Sequence, residues 1–216
     1  IIQVLSKAFP NHSMKAEESS PGAKTTPAQW LIDPLDGTVN YIHAFPVFGV
    51  SIALMKEGVL EVGVIYDPCR KELFTARRGR GAGLNGRRIR VSRHPGLRES
   101  LLATGFPFRA REDLDLYLKS FRRVFLETGS IRRAGSAAID LAYTACGRFD
   151  GFWEMALSVW DIAAGALLIQ EAGGKVSDFF GGQAYLKSGY ITAGNPKIHA
   201  HLVKILRPIF RRRSKA

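Results

Sequence analysis

Trp30-Leu31-Ile32-Asp33-Pro34-Leu35-Asp36-Gly37-Thr38 reads as an apolar strand that stops in a turn carrying two carboxylates. Pro34 fixes its own φ and disfavours helix at Asp33, so the chain turns there. In such a turn Asp33 and Asp36 can converge on one point, with the Leu35 carbonyl between them. Carboxylates plus a backbone carbonyl are hard oxygen ligands, the set that Mg²⁺ prefers. Gly37-Thr38 opens the next segment, and if that is a short helix over 38–43 its free N–H groups face an anion. Asp-Pro and Asp-Gly are also ordinary turn dipeptides, so the stretch alone leaves a plain turn open.

Outward from this turn, residues 47–55 and 59–66 alternate as strands around Lys56-Glu57-Gly58 and predict a hairpin. Residues 71–76 add a third strand of the same meander, and residues 79–86, with four glycines and Asn85, read as a turn-rich loop. Residues 1–7 read as the last turns of an amphipathic helix, and 19–29 as a Pro/Gly/Thr-rich loop. Asp113 is placed to cap a helix whose apolar face runs Leu114, Tyr117, Leu118, Phe121, Val124, Phe125. Further helices are expected over 136–146, ended by Gly147, over 162–172, ended by Gly173-Gly174, and over 199–210. A late strand is expected over 190–193. Helices and strands interleave without a strict βαβ rhythm, which predicts a layered α/β or α+β domain with largely antiparallel sheets.

The chain has 216 residues, 46% apolar and 23% charged, which argues against a disordered or low-complexity chain. No apolar run reaches the ~18 residues of a membrane span, and residues 1–7 lack the features of a signal peptide. Cys69 and Cys146 are too few for a disulfide framework and read as free thiols of a cytoplasmic protein. Net charge is +12 and uneven: residues 70–133 hold 17 basic and 6 acidic side chains, and residues 201–216 hold 6 basic and none acidic. Such a surface attracts polyanions, so RNA or a nucleic-acid-associated partner is a candidate; a solvated basic face that keeps the protein soluble is the alternative. No helix-turn-helix, zinc or RRM signature supports the former.

Two more acidic pieces join the turn. Glu17-Glu18-Ser19 ends the segment before the loop with no obvious charge partner. Trp160-Asp161-Ile162-Ala163-Ala164-Gly165 opens a helix that is apolar nearly all round. Asp161 there reads either as an N-cap or as a buried carboxylate in want of a cation. Together, in this order, the three pieces resemble the motifs of the inositol monophosphatase family of lithium-sensitive, Mg²⁺-dependent phosphatases. The resemblance runs from about residue 10 to about residue 196. Within that family it looks closest to bacterial inositol-1-monophosphatases, through Leu102-Ala103-Thr104-Gly105-Phe106-Pro107-Phe108 and Arg133-Ala134-Gly135-Ser136-Ala137-Ala138.

The resemblance implies a sugar-phosphatase-like sandwich of alternating helix and sheet layers, a single domain over 1–216. Its metal half would lie at about 1–100 and its substrate-pocket half at about 101–216. It implies two to three Mg²⁺: Glu17, Asp33 and the Leu35 carbonyl on the first, Asp33, Asp36 and Asp161 on the second, and Glu17 leaning on a third. Glu17, Thr38 and Asp33 would be catalytic, with Thr38 orienting a metal-activated water and Glu17 accepting its proton. A hydroxyl is too weak an acid or base at pH 7 for Thr38 to do so itself. The amides of Gly37 and Thr38 would hold phosphate, while Asp36, Gly135, Ser136, Ala137 and Glu154 would meet the substrate.

The expected activity is hydrolysis of myo-inositol 1-phosphate or a similar polyol phosphate. Fructose 1,6-bisphosphate, NADP or a nucleotide 3′-phosphate such as 3′-phosphoadenosine nucleotides are the alternative substrates. A phosphatase-fold scaffold binding RNA or the transcription machinery is the alternative class. A homodimer is expected, compatible with an exposed hairpin over 47–66. The sequence departs from the family pattern in three places. Relatives carry an N-terminal helical region, with an Asp that supports the catalytic Thr, ahead of the position of residue 1, so the sequence is expected to be either a truncated piece or a naturally short chain. Ala16 replaces a common Gly, which would be strained at positive φ. Val39 replaces a common Thr.

Overall fold

A computed structural model describes residues 1–18 and 26–210. Ser19, the rest of the loop up to residue 25 and the Arg-rich end at 211–216 lie outside the described residues. The first half runs α1 (Ile2–Ala8), β1 (Ser13–Ala16), β2 (Ala28–Asp36), α2 (Thr38–Ile42), β3 (Gly49–Lys56), β4 (Val59–Asp67), β5 (Glu72–Arg77), β6 (Gly81–Leu84) and β7 (Arg87–Arg88). The second runs β8 (Leu101–Thr104), a 3₁₀ turn (Arg111–Asp113), α3 (Leu114–Phe125), β9 (Ser130–Arg132), α4 (Ala137–Ala145), β10 (Gly151–Glu154), α5 (Val159–Glu171), β11 (Lys175–Ser177), α6 (Tyr185–Ser188), β12 (Ile191–Gly194) and α7 (Pro196–Phe210).

The first seven strands form one sheet in chain order, antiparallel throughout except for the parallel pair β1–β2. The other five form a mixed sheet, β11-β12-β10-β8-β9, in which β8 pairs in parallel with both β10 and β9. Helices α4 and α5 lie between the two sheets, and α3 and α7 pack together with α7 against the outer face of the second. The order of layers is sheet, helix pair, sheet, helix pair. A middle layer must be apolar on every side. Accordingly, Ile162 to Ile169 of α5 are buried without interruption, as are Ala137 to Ala142 of α4. The two helices cross so closely that a Cβ on Gly165 would lie 2.4 Å from the Leu141 Cβ. The main core fills this layer, with a second core between the mixed sheet and α3/α7. Trp30 and Ile32 pack on the opposite face of the larger sheet, where Leu5 of α1 covers them.

Several expectations need correction. Residues 79–86 are not all loop, because β6 runs through them on Phe74 to Arg77. The hairpin over 47–66 is no edge: β3 and β4 sit at the centre of the larger sheet. The second sheet is half parallel, since the connections through α3, α4 and α5 return the chain across it. On α3 only Tyr117, Ser120 and Val124 are buried, while Leu114, Leu118 and Phe125 are exposed and Asp113 makes no side-chain cap bond. Packing on α7 covers a narrower stripe than the apolar face offers. Helix α7 starts at Pro196, three residues early, because the Asn195 side chain accepts from the N–H groups of Lys197 and Ile198. Asn followed by Pro was the start signal. Ala16 sits in β1 and is absent from the positive-φ positions, so the expected strain does not arise. Both cysteines are free, and no helix among the described residues is long and apolar enough to cross a membrane.

Candidate metal centre and substrate cleft

Strand β2 stays paired to β3 through Asp33, loses register at Pro34-Leu35 and regains it at Asp36. The bulge places both carboxylates on one side. Gly37 follows at φ +88°, where a Cβ would lie 2.9 Å from the Val47 carbonyl, so only glycine completes the turn into α2. Asp161 arrives from α5. Helix α5 begins two residues before it, with Ser158 as N-cap, and Asp161 reaches back to that residue's N–H as in a capping box. Asp161 is therefore at the third helical position rather than the cap. Ser158-Val159-Trp160-Asp161 carries that signature in the sequence.

One oxygen from each of Asp33, Asp36 and Asp161 lies within 4.8 Å of the others. Each carboxylate is held by one of its oxygens. The Leu35 N–H donates to Asp33 Oδ1 (2.8 Å). Ser136 Oγ and the Ala138 N–H donate to Asp36 Oδ2 (2.5 and 2.8 Å). The Ser158 N–H donates to Asp161 Oδ2 (2.8 Å), while Asp161 Oδ1 is buried with no hydrogen-bond partner. Burial, and then the neighbouring charge of Asp36, pushes the Asp33 pKa up to about 8. Burial raises Asp36 to about 6 against the bond from Ser136, with Asp161 adding to the rise. Two carboxyl groups whose ionisation burial and neighbouring charge oppose, beside the orphaned buried oxygen of Asp161, fit a hard divalent cation such as Mg²⁺. The cluster could hold a metal.

Glu17 does not join the trio directly. Arg109, from the segment after β8, bridges them: Nη2 donates to Glu17 Oε1 (3.1 Å) and Nη1 to Asp161 Oδ2. Burial works against the charge on Arg109, but Asp161 and Glu17 outweigh it and raise its pKa. The Leu35 carbonyl accepts from the Thr38 hydroxyl (2.9 Å). Asn40 Nδ2 donates to the carbonyls of Val47 and Ala134 (2.7 and 2.9 Å), which ties α2 to the segment before Gly135. Neither Arg109 nor Asn40 carries a motif that would single it out in the sequence.

Asp36 and Asp161 line a cleft of about 570 Å³. Gly37 and Thr38 line it near Asp36, and Gly135, Ser136 and Ala137 line its side at the start of α4. Glu154, at the end of β10, and Asp140 of α4 line another wall of the cleft. The Glu154 carboxylate lies against the backbone of Gly105, where a Cβ would be 2.0 Å from Oε1. Burial, then the charge of Asp36, raises Glu154 to about 8. At the rim Arg133 lies over Phe106 and Phe108, its guanidinium 5.1 and 5.2 Å from the ring centres.

A sequence profile of the inositol monophosphatase family matches residues 1–210. The Nus factor SuhB of Pseudomonas aeruginosa is 53% identical over 216 residues, covering 96% of this chain and 79% of that protein. Among solved structures, the extragenic suppressor protein suhB of Bartonella henselae superposes with a TM-score of 0.91 at 46% identity, covering 96% of this chain and 80% of the other. The inositol monophosphatase of Anabaena (Nostoc) sp. PCC 7120 gives a TM-score of 0.91 at 45% identity, covering 96% and 82%.

Proposed function

The chain belongs to the inositol monophosphatase family, and from that membership we propose that it is a Mg²⁺-dependent phosphomonoesterase acting on myo-inositol 1-phosphate or a similar polyol phosphate. The observation that carries this reading is the convergence of Asp33, Asp36 and Asp161, each already held by one oxygen. In this reading these residues, with Glu17 and the Leu35 carbonyl, hold two to three Mg²⁺. When bound, Mg²⁺ supplies charge against the transferring phosphoryl oxygens and makes a water acidic enough to attack at neutral pH. The amides of Gly37 and Thr38 hold the phosphate. The Thr38 hydroxyl orients the attacking water, and a Glu17 carboxylate oxygen takes its proton once Arg109 releases it. Ser136 and Ala138 keep Asp36 turned toward the reacting centre, while Gly135, Ala137 and Glu154 receive the alcohol that leaves.

Release of phosphate from myo-inositol 1-phosphate, measured with and without Mg²⁺, tests the reading. Mg²⁺-dependent release that EDTA abolishes is the expected result. Absence of release at every Mg²⁺ concentration, with fructose 1,6-bisphosphate, NADP and 3′-phosphoadenosine nucleotides equally inert, would sink it. The Nus factor name of the Pseudomonas relative and the basic stretch 70–133 favour a second activity, contact with RNA or the transcription machinery. Salt-sensitive RNA binding that survives Asp33→Asn is expected if so, and binding lost with the metal centre speaks against it. A homodimer is part of the proposal, and sedimentation reads it directly.

A further inference from the structure

This second wall of the cleft holds a carboxylate that no motif singled out. Asp140 lies in the first turn of α4, is 1% exposed, and has a buried oxygen, Oδ1, with no hydrogen-bond partner. Among the described residues no cation stands within ion-pair distance of it. Its neighbours along the helix are Ala138, Ile139, Leu141 and Ala142, all buried and apolar. A carboxylate kept dry without a partner is costly, and an aliphatic side chain there would suit the layer better. Packing therefore does not explain it.

Asp140 lines the cleft together with Glu154, Thr104 and Gly105. Burial, then the charge of Glu154, raises the Asp140 pKa well above the carboxylate range. A carboxyl group accepts hydrogen bonds when ionised and can also donate one when protonated. The nearest positive charge on that side, Arg133, is drawn to the rim over Phe106 and Phe108. A ligand that suits this wall is neutral and carries hydroxyls on adjacent carbons. A second phosphate would face two carboxyl groups and be repelled.

We infer that Asp140 is a specificity-determining residue that, paired with Glu154, hydrogen-bonds the hydroxyls of a neutral polyol leaving group and disfavours substrates carrying a second phosphate there. The inference rests on the phosphomonoesterase reading above for the orientation of the substrate. Asp140 would meet the hydroxyls, while Gly105, by lacking a Cβ, lets Glu154 reach the same space.

The experiment compares wild type, Asp140→Asn and Asp140→Ala on myo-inositol 1-phosphate and phenyl phosphate. Binding is read by calorimetry with Ca²⁺ in place of Mg²⁺, so that it does not depend on turnover. Phosphate release with Mg²⁺ is read separately. The expected result is preference of the wild type for the polyol phosphate, and a fall of about tenfold in that preference in both variants, seen in Kd and in the ratio of kcat/KM values. Equal losses on both ligands, unchanged preference, or a wild type that binds the two alike overturns the inference. A melting temperature lowered in Asp140→Asn together with equal losses assigns the residue a structural role and overturns it too. Absence of Mg²⁺-dependent release from either compound, with the binding preference intact, defeats the hydrolase reading and leaves the specificity assignment standing.

Discussion

Both ends of the cleft gather buried carboxylates, and they hold them in opposite ways. At the β2/α5 end, Asp33, Asp36 and Asp161 each have one oxygen fixed by a backbone N–H, with Ser136 and Arg109 adding side-chain donors. At the β8/β10 end, Asp140 Oδ1 has no partner, and Glu154 is placed by the missing side chain of Gly105. A cation needs ligands set in direction before it arrives, because its coordination geometry is demanding. A polyol brings its own rotatable hydroxyls and needs only acceptors of the right depth. On the proposed reading, the contrast separates a rigid site for an ion from an accommodating wall for an alcohol.

The largest expected effect strikes the rigid end. Asp33→Asn should lower kcat/KM by roughly 10²–10³-fold, since on the proposed reading it removes an anionic ligand of the Mg²⁺ whose charge faces the phosphoryl oxygens. The same change should raise the melting temperature of the metal-free protein by a few degrees, because a buried carboxyl group whose ionisation is opposed by burial and by Asp36 is gone. Retained turnover would break the comparison at once.

Next comes pH. Asp33 is shifted up to about 8 and Asp36 to about 6 in the folded chain. A carboxylate with a raised folded pKa lends its stability below the unfolded value and loses it as pH rises through the folded one. The metal-free protein should therefore melt at progressively lower temperature from about pH 4 to about pH 8. Mg²⁺ should flatten that slope by taking the place of the protons. A profile rising with pH in the absence of metal contradicts the assignment.

Gly105→Ala acts at the accommodating end. The new Cβ displaces a flexible Glu154 side chain rather than backbone, so preference for a polyol phosphate over phenyl phosphate should fall about tenfold with little change in melting temperature. The smallest effect returns to the rigid end. Arg109→Met removes the guanidinium that bridges Glu17 and Asp161, and Mn²⁺ binding followed by electron paramagnetic resonance should tighten about fivefold. Weaker binding would mean that Arg109 orients the ligands rather than competing with the ion.

How much of this was legible in the sequence follows from the same contrast. Asp33-Pro34-Leu35-Asp36-Gly37 announces a turn because Pro and Gly restrict the backbone directly, and the bulge in β2 is where that restriction acts. The meander from β3 to β5 follows from alternation and short turns, which are local signals. The parallel pairs of β8 were hidden, because they depend on connections through whole helices. Asp140 resembled any polar residue of a helical turn, and only its burial between two sheets sets it apart. Arg109 gave no signal either, since its partners lie 92 and 52 positions away. Ser158 and Asn195 were readable from cap patterns already present in the chain.

Helix α4 has one last consequence. Its first turn grips Asp36 through the Ala138 amide and, two residues on, presents Asp140 to the wall it shares with Glu154. On the proposed reading, the distance between the ion's ligand and the alcohol's acceptor is thus set by a single stretch of hydrogen-bonded backbone. Ion affinity and leaving-group choice would then be mechanically joined, so substitutions that slide this helix to admit a bulkier alcohol should alter both together.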